Sequence, residues 1–364
     1  MEKVRCGVIG AGWWGTTAHI PALKRHPHAE LIAVQSRELS AARQVAKDFD
    51  VPHAFDDAEL LLDVEGLSAV VISSTPNLHY AQAKAALDRG LHVLLEKPMT
   101  LCAAEARELV DLAKSRRTQL LVSAPWHYTA HAVEAQRLIR EGALGSVRMI
   151  SILMSNFTLG LYQGLPWEQV FGSNPTLQNA AEPYLKPGRE SYSDPAIAGG
   201  GQIHCQVCHA AAYVAFLTGR HPAEVFARFD NAGTRVDVHD SLSIRLDDGA
   251  IVSLASTGGT MLSERNYEVR VYGTRGMILM ELWKGHLDLH NARCEVTRYP
   301  NLEASEIYPI YAATDNLIDT VRGAASNRSP GELGLFAVEV ADAAIESART
   351  GQNIVCRAQS PTFS

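Results

Sequence analysis

At 364 residues, with 46% hydrophobic and 20% charged residues, the chain is long enough for two domains with separate cores and ordinary in composition for a globular protein. A net charge of −7 with no basic stripe argues against nucleic acid and anionic membrane as partners, and no apolar run approaches the length that crosses a bilayer. Six scattered cysteines, and a start that runs Met1-Glu2-Lys3-Val4-Arg5 straight into a strand pattern, lead us to expect a cytoplasmic protein with reduced thiols and no secretion signal.

Val4–Ile9 reads as a buried strand, followed at once by Gly10-Ala11-Gly12-Trp13-Trp14-Gly15 and a helix pattern from Thr16 to Arg25. Strand, glycine turn and helix in this order form a dinucleotide-binding fingerprint. Gly10 permits the tight turn, Gly12 lets a pyrophosphate approach the backbone, and Gly15 lets the helix pack on the strand. The helix N-terminus then presents free N–H groups and a positive dipole end to the phosphates. Further strands are predicted at Glu30–Gln35, Ser68–Ser73, Leu91–Leu95 and Gln119–Ser123, alternating with helices at Leu39–Phe49, Asn77–Arg89 and Ala103–Ser115. This alternation predicts a doubly wound parallel sheet. Ligands bind beyond the carboxyl ends of such strands, which selects Gly10–Gly15, Gln35–Arg37, Ser73–His79 and Glu96–Pro98 as one crevice.

A carboxylate at the end of the second strand would hold a ribose hydroxyl and repel a 2′-phosphate. Gln35-Ser36-Arg37 stands there instead. Gln35 can bond a hydroxyl, and Ser36 and Arg37 can hold a phosphate, so the reading leans slightly to NADP over NAD. The alternative for Arg37 is a solvated residue at a helix start.

The glycine fingerprint, Thr75-Pro76-Asn77-Leu78-His79, and Glu96-Lys97-Pro98 after the fifth strand together resemble the Gfo/Idh/MocA oxidoreductases, named for glucose–fructose oxidoreductase and inositol dehydrogenase. The resemblance extends over essentially the whole chain. It implies that Gly10, Gly12, Trp13, Trp14, Gly15, Ser36, Arg37, Ser74, Thr75, Asn77, His79, Glu96 and Lys97 surround NAD or NADP. It implies further that Lys97 lies near both nicotinamide and substrate, with a Lys97–Pro98 bond that is often cis. The residues agree on their own terms: a lysine at a strand's carboxyl end, fixed by a proline, points into the crevice.

At Ser123-Ala124-Pro125-Trp126-His127-Tyr128 the alternation stops. We place a boundary here, with a Rossmann domain over 1–124 and an α+β substrate and oligomerisation domain over 125–364. His127 and Tyr128 are either substrate-binding groups or packing at the junction. Ala130–Glu141 reads as an amphipathic helix and Val147–Asn156 as a long strand. Residues 157–198 form an irregular insertion rich in aromatics (Tyr162, Trp167, Phe171, Tyr184, Tyr192) and prolines (166, 175, 183, 187, 195). Such a long loop reads as a substrate cover whose rings lie against a sugar face. Lys186 and Arg189 are either anion contacts or solvated surface.

In the family, a glycine run such as Gly199-Gly200-Gly201 leads to an Asp and, one helical turn later, to a His that holds the reacting hydroxyl near the lysine. Here His209 matches and Cys205 replaces the Asp, leaving the middle member of the set open, with His204 or Gln206 as other polar neighbours. Cys205, Cys208 and His209 also have the spacing of a haem attachment and, with His204, of a soft metal site. Residues this close on one helix cannot converge on a tetrahedron, so we expect no metal. Strands are predicted at Ala223–Phe229, Ser241–Leu246, Ala250–Ser256, Tyr267–Tyr272, Met277–Glu281, Leu287–His290 and Glu295–Arg298, with Asp247-Asp248-Gly249 as a hairpin turn and Leu333–Arg349 as a final helix. They predict a large antiparallel or mixed sheet with helices on one face, the other face being free for subunit contacts in a homodimer or homotetramer.

The expected activity is hydride transfer between NAD(P) and a carbinol carbon of a sugar, polyol or glycoside, with Lys97 and His209 catalytic and Lys97, His127, Tyr128, Cys205 and His209 around the substrate. An NAD-dependent glycoside hydrolase working by transient oxidation, and a non-enzymatic cofactor sensor, are the alternatives.

Overall fold

The structure, a computed structural model, describes residues 3–171, 184–261 and 264–356. Six parallel strands build the first sheet: β1 (Val4–Ile9), β2 (Ala29–Gln35), β3 (His53–Phe55), β4 (Ala69–Ile72), β5 (His92–Leu95) and β6 (Leu120–Val122). Their order is β3-β2-β1-β4-β5-β6, so the switch point lies between β1 and β4. Nearly every residue of β1, β2 and β4 is buried, as a sheet covered by helices on both faces demands. The three-residue β3 is too short for a sequence pattern to show.

The second sheet has nine strands: β7 (Val147–Ser155), β8 (Pro222–Asp230), β9 (His239–Leu246), β10 (Ile251–Thr257), β11 (Asn266–Gly273), β12 (Gly276–Glu281), β13 (His286–Asn291), β14 (Val296–Arg298) and β15 (Ile354–Val355), in the order β14-β13-β12-β11-β7-β10-β9-β8-β15. It is mixed: β7 and β10 pair in parallel, and the other pairs are antiparallel. Residues alternate between buried and exposed along β9 and β10, so one face meets the core and the other faces outward. Met149, Leu153 and Ile251 are large apolar residues on that outward face.

Helix Cys208–Thr218 is apolar all round and buried through Leu217, as expected for a helix enclosed by other elements. It packs against helices Ala130–Arg140 and Gly331–Thr350. The chain then returns to the first sheet. Helix Ala312–Val321 contributes Ala313, Leu317 and Ile318 to the core on one side of that sheet, and Leu335 and Val338 of helix Gly331–Thr350 join the core on the other. These late helices tie the two sheets into a shared frame.

The glycine run enters helix Cys208–Thr218 through a wide turn, Ile203–Val207, in which the Cys208 N–H reaches back five residues to the Ile203 carbonyl. Asp237, just before β9, holds its start. Its carboxylate accepts from the Gly201 N–H at 2.8 Å and the Ile203 N–H at 2.6 Å, and its carbonyl accepts from Gln202 N–H at 3.0 Å. A side chain at 201 would clash, since a Cβ there would stand 1.9 Å from the Asp237 carbonyl oxygen. Asp237→Ala leaves two buried N–H donors without partners. It should lower the unfolding free energy by about 1–3 kcal/mol in urea denaturation, with a smaller loss for Asp237→Asn, which keeps one acceptor.

Candidate active site

The carboxyl ends of β1, β2, β4 and β5 open into a cavity of about 490 Å³ that the second domain closes. Gly10, Gly12, Trp13, Trp14, Ser36, Arg37, Ser74, Thr75, Glu96 and Lys97 line it on one side, and Cys205 and His209 on the other. Gly10 has φ +86°, and a Cβ there would lie 2.5 Å from the Ser73–Ser74 backbone. Gly12 borders open space, with nothing nearer to a Cβ than the Leu185 carbonyl oxygen at 3.6 Å. These are the tight turn and the exposed backbone that a pyrophosphate needs.

Glu96 ties the crevice together. Trp14 Nε1–H donates to Glu96 Oε1 at 2.8 Å, and His19 Nε2 lies 3.0 Å from the same oxygen. The Lys97 backbone N–H donates to Oε2 at 3.1 Å. The fully buried His19 ring is set from behind by Thr314 Oγ1, 2.8 Å from Nδ1. Burial alone would raise the Glu96 pKa. The His19 hydrogen bond and charge, then Lys97 and Ser123, outweigh it and hold the carboxyl at about 2. Neither His19 nor Thr314 is legible as a site residue in sequence, since they lie 77 and 295 residues from their partners.

Lys97 follows Glu96 at the carboxyl end of β5, and its bond to Pro98 is cis. Its Nζ donates to the Cys205 backbone carbonyl at 3.1 Å. Burial works against its charge, but the Cys205 and Cys208 sulfurs, Glu96 and Tyr308 together raise its pKa above the ordinary value. Cys208 is itself pushed up to about 12, by burial first, so at neutral pH it is a thiol and Glu96 is the nearby anion. That anion and the direction of the shift favour the ammonium form of Lys97. His209 is the reverse case: burial, then Lys97, drops its pKa well below the ordinary value, and it is a neutral imidazole.

Cys205 reaches Lys97 through its carbonyl, and its side chain packs with Leu161, Tyr162 and Tyr192 from the insertion. Gln206 Nε2 is 3.6 Å from the Cys205 sulfur. Cys208 is core, its S–H donating to the His204 carbonyl at 2.8 Å. His204 is buried with both ring nitrogens unpartnered among the described residues, and burial drops its pKa to about 4.

Gln35 is spent within the fold. Its Oε1 accepts from the Gly10 N–H at 3.2 Å and its Nε2 donates to the Asp56 carbonyl at 2.9 Å. Ser36 Oγ is buried without a partner among the described residues, and Arg37 is exposed beside it. The Thr75 hydroxyl donates to Asn77 Oδ1 at 2.7 Å, which places Asn77 at the outer rim. The structure corrects three expectations. His79 is buried between the Pro98 carbonyl (2.7 Å) and the Ser74 carbonyl (3.1 Å), so it braces the cavity wall without lining it. His127 stacks on Phe216 at 4.7 Å and bonds Ser329 at 3.0 Å, and burial drops its pKa to about 3. Tyr128 turns its hydroxyl to Asn316. His127 and Tyr128 thus pack the junction, because the 3₁₀ turn Pro125–Tyr128 sends them away from the crevice.

The insertion supplies Trp167, Phe171 and Tyr192 to the cavity, and Trp13 meets Trp167 at 4.7 Å. Tyr162 is instead buried, its hydroxyl donating to Gln202 at 2.8 Å, and Tyr184 packs on Phe49. Lys186 pairs with Glu168 at 2.5 Å. Pro175 and Pro183 lie outside the described residues. Among the described residues no helix is long and apolar enough to cross a membrane.

Two family models match the chain: an oxidoreductase family, NAD-binding Rossmann fold, over residues 4–124, and a GFO/IDH/MocA C-terminal domain over residues 132–279. The chain belongs to the Gfo/Idh/MocA family. An uncharacterised oxidoreductase of Synechocystis is 39% identical over 145 residues, 40% of this chain and 39% of that protein. The D-xylose 1-dehydrogenase (NADP(+)) 2 of Haloferax volcanii is 28% identical over 255 residues, 70% of this chain and 69% of its own. The chain spans under half the length of several curated relatives it matches. Levoglucosan dehydrogenase, solved with NADH and levoglucosan, shares the fold with a TM-score of 0.80 at 19% identity, over 98% of this chain and 100% of that one. GenD2 from gentamicin A biosynthesis, solved with NAD, gives a TM-score of 0.78 at 21% identity, over 98% and 97%.

Because its folded pKa is depressed, Glu96 contributes stability that is complete above the ordinary value of 4.5 and is lost as pH falls through about 2. The unfolding free energy of the wild type relative to Glu96→Gln should shrink by roughly 3 kcal/mol across that window in denaturant titrations at stepped pH.

Proposed function

We propose that the protein is an NAD(P)-dependent dehydrogenase that oxidises a carbinol of a sugar, polyol or glycoside, or reduces the corresponding carbonyl. The observation that carries this reading is a half-buried lysine and a buried histidine lining the cavity that the glycine turn opens into. When bound, the nicotinamide supplies the acceptor or donor of hydride. The residues fit it: the Gly12 backbone borders open space, and the Ser36 hydroxyl at the end of β2 is unpartnered among the described residues.

Lys97 cannot accept a proton while it is an ammonium, so its part is to stabilise negative charge on the substrate oxygen. His209, neutral, takes the hydroxyl proton during oxidation and returns it during reduction. Glu96 balances Lys97 from the protein side, and the Cys205 carbonyl aims Nζ. Cys205 supplies an oxygen acceptor from its backbone where the family's Asp would supply one from its side chain. NADP is the favoured cofactor, because Gln35 is already committed to the glycine turn while Ser36 and Arg37 are available to a 2′-phosphate. The site residues are thus Gly10, Gly12, Trp13, Trp14, Ser36, Arg37, Ser74, Thr75 and Glu96 for the cofactor, and Lys97, Cys205 and His209 for the reaction.

Lys97→Ala should lower kcat by about 10³-fold or more, while the dissociation constant for the dinucleotide stays within a few-fold of the wild type. The check is NAD(P)H formation with a panel of sugars and polyols alongside calorimetric titration of cofactor. A Lys97→Ala enzyme that keeps most of its turnover contradicts the assignment.

A further inference from the structure

Three hydrogen-bond donors meet at the end of the second sheet that faces the cavity. Asn156 directly follows β7 and Arg265 directly precedes β11. These strands pair antiparallel with Ser155 opposite Asn266, so the register sets Asn156 opposite Arg265. Trp283 follows β12 by two residues, on the other side of β11. All three line the cavity. The Arg265 guanidinium lies over the Trp283 ring at 3.8 Å, a cation–π contact that fixes its plane.

Among the described residues the side-chain N–H groups of all three lack an acceptor. Asn156 is 6% exposed, and its Nδ2 is buried without a partner among the described residues. The same holds for Trp283 Nε1. Arg265 has neither an ion pair nor a hydrogen bond there, and burial lowers its pKa from the ordinary value. Glu281 is the acid whose charge opposes that shift, yet it makes no ion pair with Arg265; its Oε1 accepts from the Tyr267 N–H at 2.9 Å, and its Oε2 is buried without a partner among the described residues. Buried donors left unmade are costly, and a group that brings acceptors into the cavity relieves the cost.

From this cluster we infer that the substrate carries a carboxylate, received by Arg265, Asn156 and Trp283, so that the enzyme acts on a sugar acid. This inference rests on the reading of the protein as a carbinol dehydrogenase and names its substrate class. A planar carboxylate matches the guanidinium fork, with lone pairs left for the amide and indole N–H groups. Arg265 is a single cation, which balances a monoanion better than a phosphate dianion, and the Glu281 charge close by repels a dianion more strongly than a monoanion. Trp126 and Tyr308, whose rings lie 4.9 Å apart, complete an aromatic wall beside the cluster against which a sugar ring can lie.

The test is calorimetric titration of the full-length protein, saturated with whichever of NAD+ or NADP+ it holds more tightly. The probes are D-glucuronate, D-galacturonate, D-mannuronate and D-gluconate, the corresponding neutral hexoses and hexitol, and D-glucose 6-phosphate. At least one acid should bind tenfold or more tighter than its neutral counterpart and than the phosphate. Arg265→Gln should erase that preference while neutral-sugar and cofactor binding persist, and Arg265→Lys should keep part of it. Acids that all bind no better than their neutral counterparts, a preference that survives in Arg265→Gln, or tighter binding of the phosphate overturns the inference. NAD(P)H formation is read separately. Turnover of neutral sugars without an acid preference overturns the inference and leaves the dehydrogenase standing; acid preference without any turnover does the reverse.

Discussion

A buried carboxylate organises this molecule. Glu96 sits at the carboxyl end of the central sheet, and one of its oxygens receives both the Trp14 indole N–H and the His19 ring. The other receives the backbone N–H of Lys97. The glycine turn, the first helix and Lys97 are thus positioned by a shared anion. Burying that anion would cost several kcal/mol if it stood alone. Its donors reverse the sign, and the charge then helps to raise the pKa of Lys97, while burial and then Lys97 hold His209 below its ordinary value against the pull of Glu96.

The second domain completes the cavity by a chain of local constraints. Asp237 caps the wide turn that follows the glycine run, and that turn presents the Cys205 carbonyl to Lys97. A backbone acceptor is fixed by the fold, so Nζ has a partner at position 205 whatever the side chain there. The thiol packs among the rings of the insertion. Trp13 against Trp167 joins that insertion to the glycine turn, so the dinucleotide crevice and the substrate cavity form a continuous space.

Much of the fold was legible in sequence, for physical reasons. The continuous apolar runs of β1 and β4 and the alternation in β9 and β10 report burial on two faces and on one. Lys97, Glu96 and the glycines were legible because each sits at a strand end, where the chain direction alone places it. Other features depend on pairing between distant segments. His19 looks like any helix residue until Glu96 and Thr314 arrive beside it. Asn156 and Arg265 meet through strand register, and Trp283 through the next strand. His127 and Tyr128 show the opposite error, since polar aromatic residues at a domain junction resemble a site until the turn that carries them is seen to face the core. The wide turns at Gly15–His19 and Ile203–Val207 leave no composition signal, although the second of them carries the carbonyl that receives Lys97.

The most direct measurement is the titration of Lys97 itself, followed by NMR in protein carrying 13Cε-labelled lysine, with Lys97→Arg to assign the signal. The Lys97 signal should keep its ammonium shift to pH 10.5 and above, and in Glu96→Gln the same signal should begin to titrate at lower pH. A Lys97 already neutral below its ordinary pKa in the wild type, or a titration unchanged by the loss of the Glu96 charge, would contradict that expectation.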